Sequence, residues 1–142
     1  MNLSTYEQLK EVDKLKGEAK KKRFLNFYKE SLAIRVLIEV AYSTKLKWLL
    51  PEGDPPFKKT EPESDLQNVL KKDSRKLVYF LNTKEGQNIK SMKREMMFIE
   101  FLESIDHQDQ TLILSVKNKK LPFKSINKKF LNSVIPEITK NW

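Results

Sequence analysis

Apolar residues recur every three to four positions along much of this chain, a period typical of helices that bury one face. Ser4 and Glu7 have the spacing of a capping box, which predicts a first helix over residues 5–15. Gly17 separates it from a predicted second helix over residues 18–29. Ser31 is placed to cap a third helix, whose buried stripe consists of Leu32, Val36, Leu37, Val40 and Ala41.

The following segment, "STKLKWLLPEGDPPFKKTEPES" (residues 43–64), has a different pattern. It holds four of the six prolines of the chain, and proline removes a backbone donor and fixes φ. We therefore expect a long loop, here called the proline-rich loop, fixed to the bundle in part by Trp48 and Phe57. Loops of this length are uncommon in compact domains and are often functional.

Helical patterns resume after the loop. Ser64 and Gln67 have capping-box spacing, and a pause at Asp73–Ser74 precedes "RKLVYFLN". After a break at Gly86, residues 89–105 form the clearest helix. Its predicted buried face is Met92, Met96, Ile99, Leu102 or Glu103, and Ile105.

The last predicted helices begin at side chains suited to capping. Asp106 is placed to cap "HQDQTLILSVKN" and Ser125 to cap "INKKFLNSVI", while Pro136 is expected to stop that final helix. The sequence thus predicts an all-α fold. We expect one domain over residues 1–142, a compact bundle of seven or eight short helices interrupted by the proline-rich loop.

Composition narrows the classes of function. The absence of cysteine excludes disulfides, thiolate zinc sites and cysteine nucleophiles. Neither a signal peptide nor an apolar run of the ~20 residues needed for a membrane span is present, so we expect no membrane partner. The lone histidine, His107, is interpreted as an exposed first-turn residue rather than a metal ligand or general base. With no phosphate-binding glycine motif either, we expect no metal, cofactor, small-molecule substrate or enzymatic activity.

The charge pattern is more informative. The net charge is +9, with lysine far more frequent than arginine, which an AT-rich genome would also produce. Residues 117–140, however, hold seven lysines and one acid, and residues 71–94 hold eight basic residues and two acids. The acids concentrate instead in residues 52–65 and 95–109. Codon bias would not segregate charge in this way, so the pattern favours a nucleic-acid surface.

The stretch "VKNKKLPFKSINKKFL" (residues 116–131) is the best candidate for that surface. A helix beginning near Ser125 would offer unpaired N–H groups to a phosphate. The predicted phosphate contacts are Lys117, Lys119, Lys120, Lys124, Ser125 and Lys128, with Lys45 and Lys47 as a second patch. Three aromatic residues are candidate anchors for a protein partner instead: Trp48, Phe57 and Trp142.

The order of these motifs resembles the N-terminal DNA-binding domain of phage-type ATP-dependent DNA ligases. The segments that carry the resemblance are "SLAIRVLIEVAYSTKLKWLLPEGDPPF", "REMMFIEFLESI" and "DQTLILSVKNKKLPFKSINKKFLNSVIPEI". It implies an all-helical fold that embraces duplex DNA across the minor groove, mainly through its backbone. Where those ligases usually carry glycine before the final helix, this chain has Leu121-Pro122-Phe123, and the ligase motif KxDG is absent. We therefore do not expect a ligase.

The motifs "KWLLPEGDPPFK", "LESI" and "LPFK" are more similar to a family of small proteins encoded by T4-like phages of marine bacteria. That resemblance implies a phage protein located in the host cytoplasm during infection or in the virion. The predicted function is a non-catalytic protein that binds double-stranded DNA, mainly independently of sequence. The alternative is a phage structural or protein-interaction module, whose partner would be the virion, RNA polymerase or the replication machinery.

Overall fold

The computed structural model describes residues 3–142, which fold into nine α-helices and one 3-10 helix without a β-strand. The all-α prediction is therefore confirmed. The helices are α1 (Thr5–Lys14), α2 (Gly17–Glu30), α3 (Leu32–Tyr42), α4 (Val69–Asp73), the 3-10 helix (Ser74–Phe80), α5 (Lys84–Gln87), α6 (Ser91–Glu103), α7 (His107–Lys117), α8 (Lys128–Val134) and α9 (Pro136–Thr139).

Side-chain caps fix several of these helix starts. At α1 the Ser4 hydroxyl accepts from the Glu7 N–H (3.1 Å) and the Glu7 carboxylate accepts from the Ser4 N–H (2.9 Å), which completes the predicted capping box. Ser31 caps α3 and Asp106 caps α7, as their positions in the sequence predicted.

Helix α3 lies at the centre of the bundle. It packs against α2, α4, the 3-10 helix and α7, because it is the most apolar helix of the chain. One hydrophobic core surrounds it and draws on buried residues from Leu9 in α1 to Ile135 before α9. Phe98 and Phe101 of α6 join this core through edge and tilted contacts with Phe80.

The proline-rich loop is irregular, as expected, but its second half is firmly attached. The Thr60 N–H donates to Oε1 of buried Gln110 (3.0 Å), whose Nε2 donates to the Lys58 carbonyl (3.2 Å). The Thr60 hydroxyl donates to the Ile105 carbonyl (2.6 Å), and Glu103 accepts from the Lys58 N–H (2.7 Å). The α6–α7 junction therefore holds the loop through side chains that satisfy its backbone.

Three local predictions were wrong in whole or in part. Ser64 caps no helix, because the loop continues to Val69, where α4 begins. Asn127, not Ser125, caps α8, accepting from the Phe130 N–H (2.9 Å). Helix α8 does end before Pro136, as predicted, but it is not the last helix, because Pro136 takes the first position of α9, where a missing N–H costs nothing.

The predicted buried face of α6 was wrong at its first half. Leu102 and Ile105 are buried as predicted, but Met92 and Met96 are 75% and 59% exposed, and α6 instead buries Arg94, Phe98 and Phe101. None of the helices described over residues 3–142 is long and apolar enough to cross a membrane.

Candidate nucleic-acid interface

The candidate surface is built on the turn between α7 and α8. Helix α7 ends at Lys117, and the chain reverses at Lys119, which adopts a left-handed conformation (φ 62°). Leu121, Phe123 and Ile126 are buried and attach the turn to the core. The turn is therefore a fixed scaffold, from which the intervening polar residues project.

The ammonium group of Lys119 is engaged by the protein itself, although the residue as a whole is exposed. It donates to the carbonyls of Val40 (2.5 Å), Ser43 (2.9 Å) and Leu46 (3.0 Å), so it caps the C-terminal end of α3 and the start of the proline-rich loop. Burial lowers the pKa of this ammonium, and the neighbouring positive charge of Lys128 lowers it further. All three of its donors are used within the protein, and we therefore remove Lys119 from the phosphate contacts.

Lys117 has a comparable structural role. Its ammonium donates to the carbonyls of Pro51 (2.7 Å) and Gly53 (2.8 Å) and so ties the first half of the proline-rich loop to the end of α7. Two of its three N–H groups are therefore used within the protein. Lys117 still adds positive charge to the surface, but its side chain is not free to move to a phosphate.

Ser125 is not available to a phosphate. Its hydroxyl bonds to the Asp13 carboxylate, and its N–H donates to the same carboxylate (3.2 Å). Its carbonyl accepts from the Lys20 ammonium (2.9 Å), which also lies over the Phe130 ring, 4.8 Å from its centroid. This network joins α1, α2 and the turn, and its carboxylate would repel an incoming phosphate.

The remaining predicted lysines are free. All five are exposed and none lies within 4.0 Å of a carboxylate oxygen of residues 3–142: Lys45, Lys47, Lys120, Lys124 and Lys128. We call these five residues the basic surface.

Contacts between their segments show that the two predicted patches adjoin. The Asn82 side chain accepts from the Lys47 N–H (3.0 Å) and donates to the Lys45 carbonyl (3.1 Å), which fixes the backbone of this segment. The Lys119 ammonium contacts the carbonyl of Leu46, which lies between Lys45 and Lys47. It is also close enough to Lys128 for the charge of Lys128 to lower its pKa. A groove of about 650 Å³ separates the two segments, lined by residues that include Lys47, Trp48, Glu52, Lys117 and Lys119.

Part of the other lysine-rich stretch, residues 71–94, is engaged within the chain itself. Lys76 pairs with Asp73 (3.3 Å), and Lys71 lies beside Gln8 and Glu30. Arg94 is buried, where it donates to the carbonyls of Leu49 (3.2 Å), Gly86 (2.7 Å) and Ile89 (2.7 Å). Charge segregation along the sequence therefore overstates the area of positive surface.

The three aromatic candidates for protein contacts are all partly buried by the chain itself. Trp48 meets Phe98 edge to face at 6.0 Å, and its backbone forms an isolated β-bridge with Leu81. Trp142 stacks on Tyr42 with ring centroids 5.9 Å apart, and Phe57 packs against the core. Their packing gives each of them a structural role within the chain.

The model of a family of unknown function, DUF6433, matches residues 8–122 of this chain. The chain belongs to the DUF6433 family. Within the part that matches the family lie Lys45, Lys47 and Lys120 of the basic surface, whereas Lys124 and Lys128 follow it. No curated protein and no solved structure matches the chain.

Residues 3–142 contain no group of three or more histidine, aspartate and glutamate side chains placed to hold a metal ion. His107 is a half-exposed first residue of α7, with Nδ1 3.7 Å from the Asp106 carboxylate that caps the helix.

Two further residues, which the sequence did not indicate, fix the backbone near the basic surface. Asp13 holds Ser125 across 112 positions, and Asn82 holds Lys45 and Lys47 across 37 and 35 positions. No local pattern marks either residue, because each bonds to a partner that only the fold brings near.

Replacing Lys119 by methionine is expected to lower the free energy of unfolding by about 2 kcal/mol, since a charged donor is lost from three carbonyls. Methionine keeps the length and apolar stem of lysine, so packing changes little. Urea denaturation would measure the loss. The matched control is Lys120→Met, whose ammonium makes no hydrogen bond to residues 3–142 and whose loss should leave stability nearly unchanged. Equal stability of the two variants would contradict the capping role.

Proposed function

We propose that this protein is a non-catalytic phage protein that binds double-stranded DNA through its sugar-phosphate backbone, largely independently of sequence. The observation that carries the proposal is the basic surface: five exposed ammonium groups without carboxylate partners among residues 3–142, on adjoining segments held by buried anchors. Lysine ammoniums on a fixed scaffold neutralise phosphates without reading base edges. The resemblance to the DNA-binding domain of phage-type ligases supports the same function, and the resemblance to small proteins of T4-like phages supports a location in the infected host cytoplasm or in the virion.

Lys119 and Lys117 act as positioning residues in this proposal. Lys119 holds the turn against the start of the proline-rich loop, and Lys117 holds that loop against α7. The relative positions of Lys45, Lys47 and Lys120 are therefore set before DNA binds, which reduces the entropy lost on binding.

The affinity for duplex DNA is expected to fall with salt along a log–log slope of roughly −4 to −5 if all five ammonium groups neutralise phosphates. Fluorescence anisotropy of a labelled duplex at several salt concentrations would measure the slope. Each substitution of one of the five by glutamine should weaken the slope by about 0.9. The matched control is Lys72→Gln on α4, which removes the same charge at an exposed residue outside the five of the basic surface. No duplex binding at low salt, or equal effects of control and test variants, would contradict the proposal.

The second candidate function is a phage structural or protein-interaction module with a partner in the virion, RNA polymerase or the replication machinery. The observation that favours it is the exposure of two methionines on one face of α6. A nuclease-resistant complex that survives neutralisation of the basic surface would support this function over DNA binding.

A further inference from the structure

Helix α6 exposes an apolar stripe that nothing in residues 3–142 covers. Met92 and Met96 are 75% and 59% exposed and lie one turn apart, and half-buried Ile99 continues the stripe. These residues face away from the core, which α6 meets through Phe98, Phe101 and Leu102. Methionine side chains are flexible and polarizable, and they are common on surfaces that bind another protein.

Two unpaired charges of opposite sign flank this stripe on one side. Lys93 and Glu100 are both exposed, and neither forms an ion pair within residues 3–142. Seven residues bring a helix back to within about 20° of the same direction, so the two side chains share one flank of α6. They are about 10 Å apart along the axis, too far to pair with each other.

We propose that α6 pairs antiparallel with α6 of a second copy of this chain, with Met96 at the centre of the contact and Met92 toward its ends. A two-fold axis perpendicular to both helices reverses their direction but leaves each flank on the same side. Lys93 of one copy then lies opposite Glu100 of the other, and symmetry repeats this pair. The face is thus complementary to itself in charge, which commits it to a second copy.

The other acids on α6 do not oppose this pairing. Glu103 lies at the end of the stripe, where its carboxylate accepts from the Lys58 N–H (2.7 Å). Glu95 lies on the opposite flank, half-buried in a cavity that it shares with Ile99, Lys117 and the proline-rich loop. It therefore lies away from the flank that carries Lys93 and Glu100.

The contact is small, because α6 has 13 residues and is about 20 Å long. Contacts of this size belong to the weak end of protein interfaces, so a reversible dimer is expected rather than an obligate one. Sedimentation equilibrium over about 10 μM to 1 mM protein spans the affinities expected of such a contact. The wild type should change from monomer to dimer within this range, and Met96→Glu should remain a monomer.

Exchanging the charges at Lys93 and Glu100 tests which residues of the two α6 helices face each other. Lys93→Glu and Glu100→Lys each replace two attractive pairs with two repulsive ones, and each should weaken dimerisation about tenfold. The double variant Lys93→Glu/Glu100→Lys restores both pairs in reverse and should dimerise within about threefold of wild type. Mixing the two single variants should form a heterodimer in which both pairs are attractive.

Circular dichroism and thermal unfolding of every variant provide the control for folding, since all three substituted side chains are exposed. A wild type that remains monomeric throughout would overturn the pairing and would leave the face to a different protein partner. Dimerisation without recovery in the double variant or the mixture would overturn it as well. Lys93 and Glu100 lie outside the basic surface, so the salt dependence of DNA binding tests the proposed function separately.

Discussion

Replacing Gly86 by alanine is expected to lower the free energy of unfolding by about 3 kcal/mol, because the added methyl group has no space. An alanine Cβ at this position would lie 1.9 Å from the Leu81 carbonyl oxygen and 3.0 Å from that of Val78. Both neighbours are backbone atoms, which cannot turn aside as a flexible side chain would. The backbone of α5 or of the 3-10 helix must therefore move.

Such a movement would also disturb a buried polar network. The Gly86 carbonyl accepts from Arg94 Nη2, and the Gly86 N–H donates to the Thr83 hydroxyl that caps α5. Displacing either group leaves a buried donor without its acceptor, which adds to the steric cost. Of the two donors, the guanidinium of Arg94 is the more sensitive to a lost acceptor, because it forms no ion pair with a carboxylate of residues 3–142.

Thermal unfolding would show the effect of Gly86→Ala as a fall in Tm of roughly 10 °C for a domain of this size. The matched control is Gly17→Asn, where a Cβ meets nothing within 4 Å and the left-handed φ of 61° is one that asparagine tolerates. This control should lose about 1 kcal/mol or less. A similar loss in both variants would contradict the role of space at Gly86.

The order of helices could be predicted from the sequence because local rules decide it. The capping box of Ser4 and Glu7, the cap at Asp106 and the prolines of the loop act within a few residues, and the structure agrees at each. The same rules were wrong at Ser64, because a capping sequence creates a helix only where the next turn also packs. Val69 and Leu70 begin α4 five residues later.

Helix α6 shows why the buried face was harder to predict. More than half of the residues of α6 are apolar, so two different stripes of apolar side chains satisfy a helical period. The aromatic rings of Phe98 and Phe101 fill the space beside Phe80, whereas the methionine stripe remains outside. Arg94 is buried on the packed side because three backbone carbonyls satisfy it, a compensation that periodicity does not reveal.

The basic turn shows the same limit at the candidate site. Its lysines are alike in the sequence, yet Lys119 and Lys117 bind carbonyls 64 to 79 positions away while Lys120 remains free. Ser125 looked like a helix cap, but its hydroxyl bonds to Asp13 across 112 positions. Which basic residues can meet a partner therefore depends on tertiary contacts, and the sequence predicts only that the region is positive.

The second large effect concerns Asp109, a fully buried carboxyl on α7. Its Oδ1 accepts from the Tyr6 N–H (2.9 Å), while Oδ2 has no hydrogen-bond partner among residues 3–142. Burial raises the pKa of Asp109 to about 7; the Tyr6 N–H and the positive charge of Lys71 act against this, and Asp106 and Glu7 act with it. In the unfolded chain the same carboxyl has its ordinary pKa near 4.

The sign of the pH effect follows from proton binding. Between about pH 4 and pH 7 the folded protein retains a proton that the unfolded chain has released, so the free energy of unfolding falls as pH rises through this window. The total fall is on the order of 4 kcal/mol, and it is complete above pH 7.

Asp109→Asn is therefore expected to stabilise the protein at pH 8 and to remove most of this pH dependence. Asparagine has the same shape, and its Oδ1 can still accept from the Tyr6 N–H, but it carries no charge that burial would penalise. Urea denaturation from pH 5 to pH 8 would compare the two slopes. Parallel slopes in the two proteins would show that the buried carboxyl does not ionise in this range and would contradict the prediction.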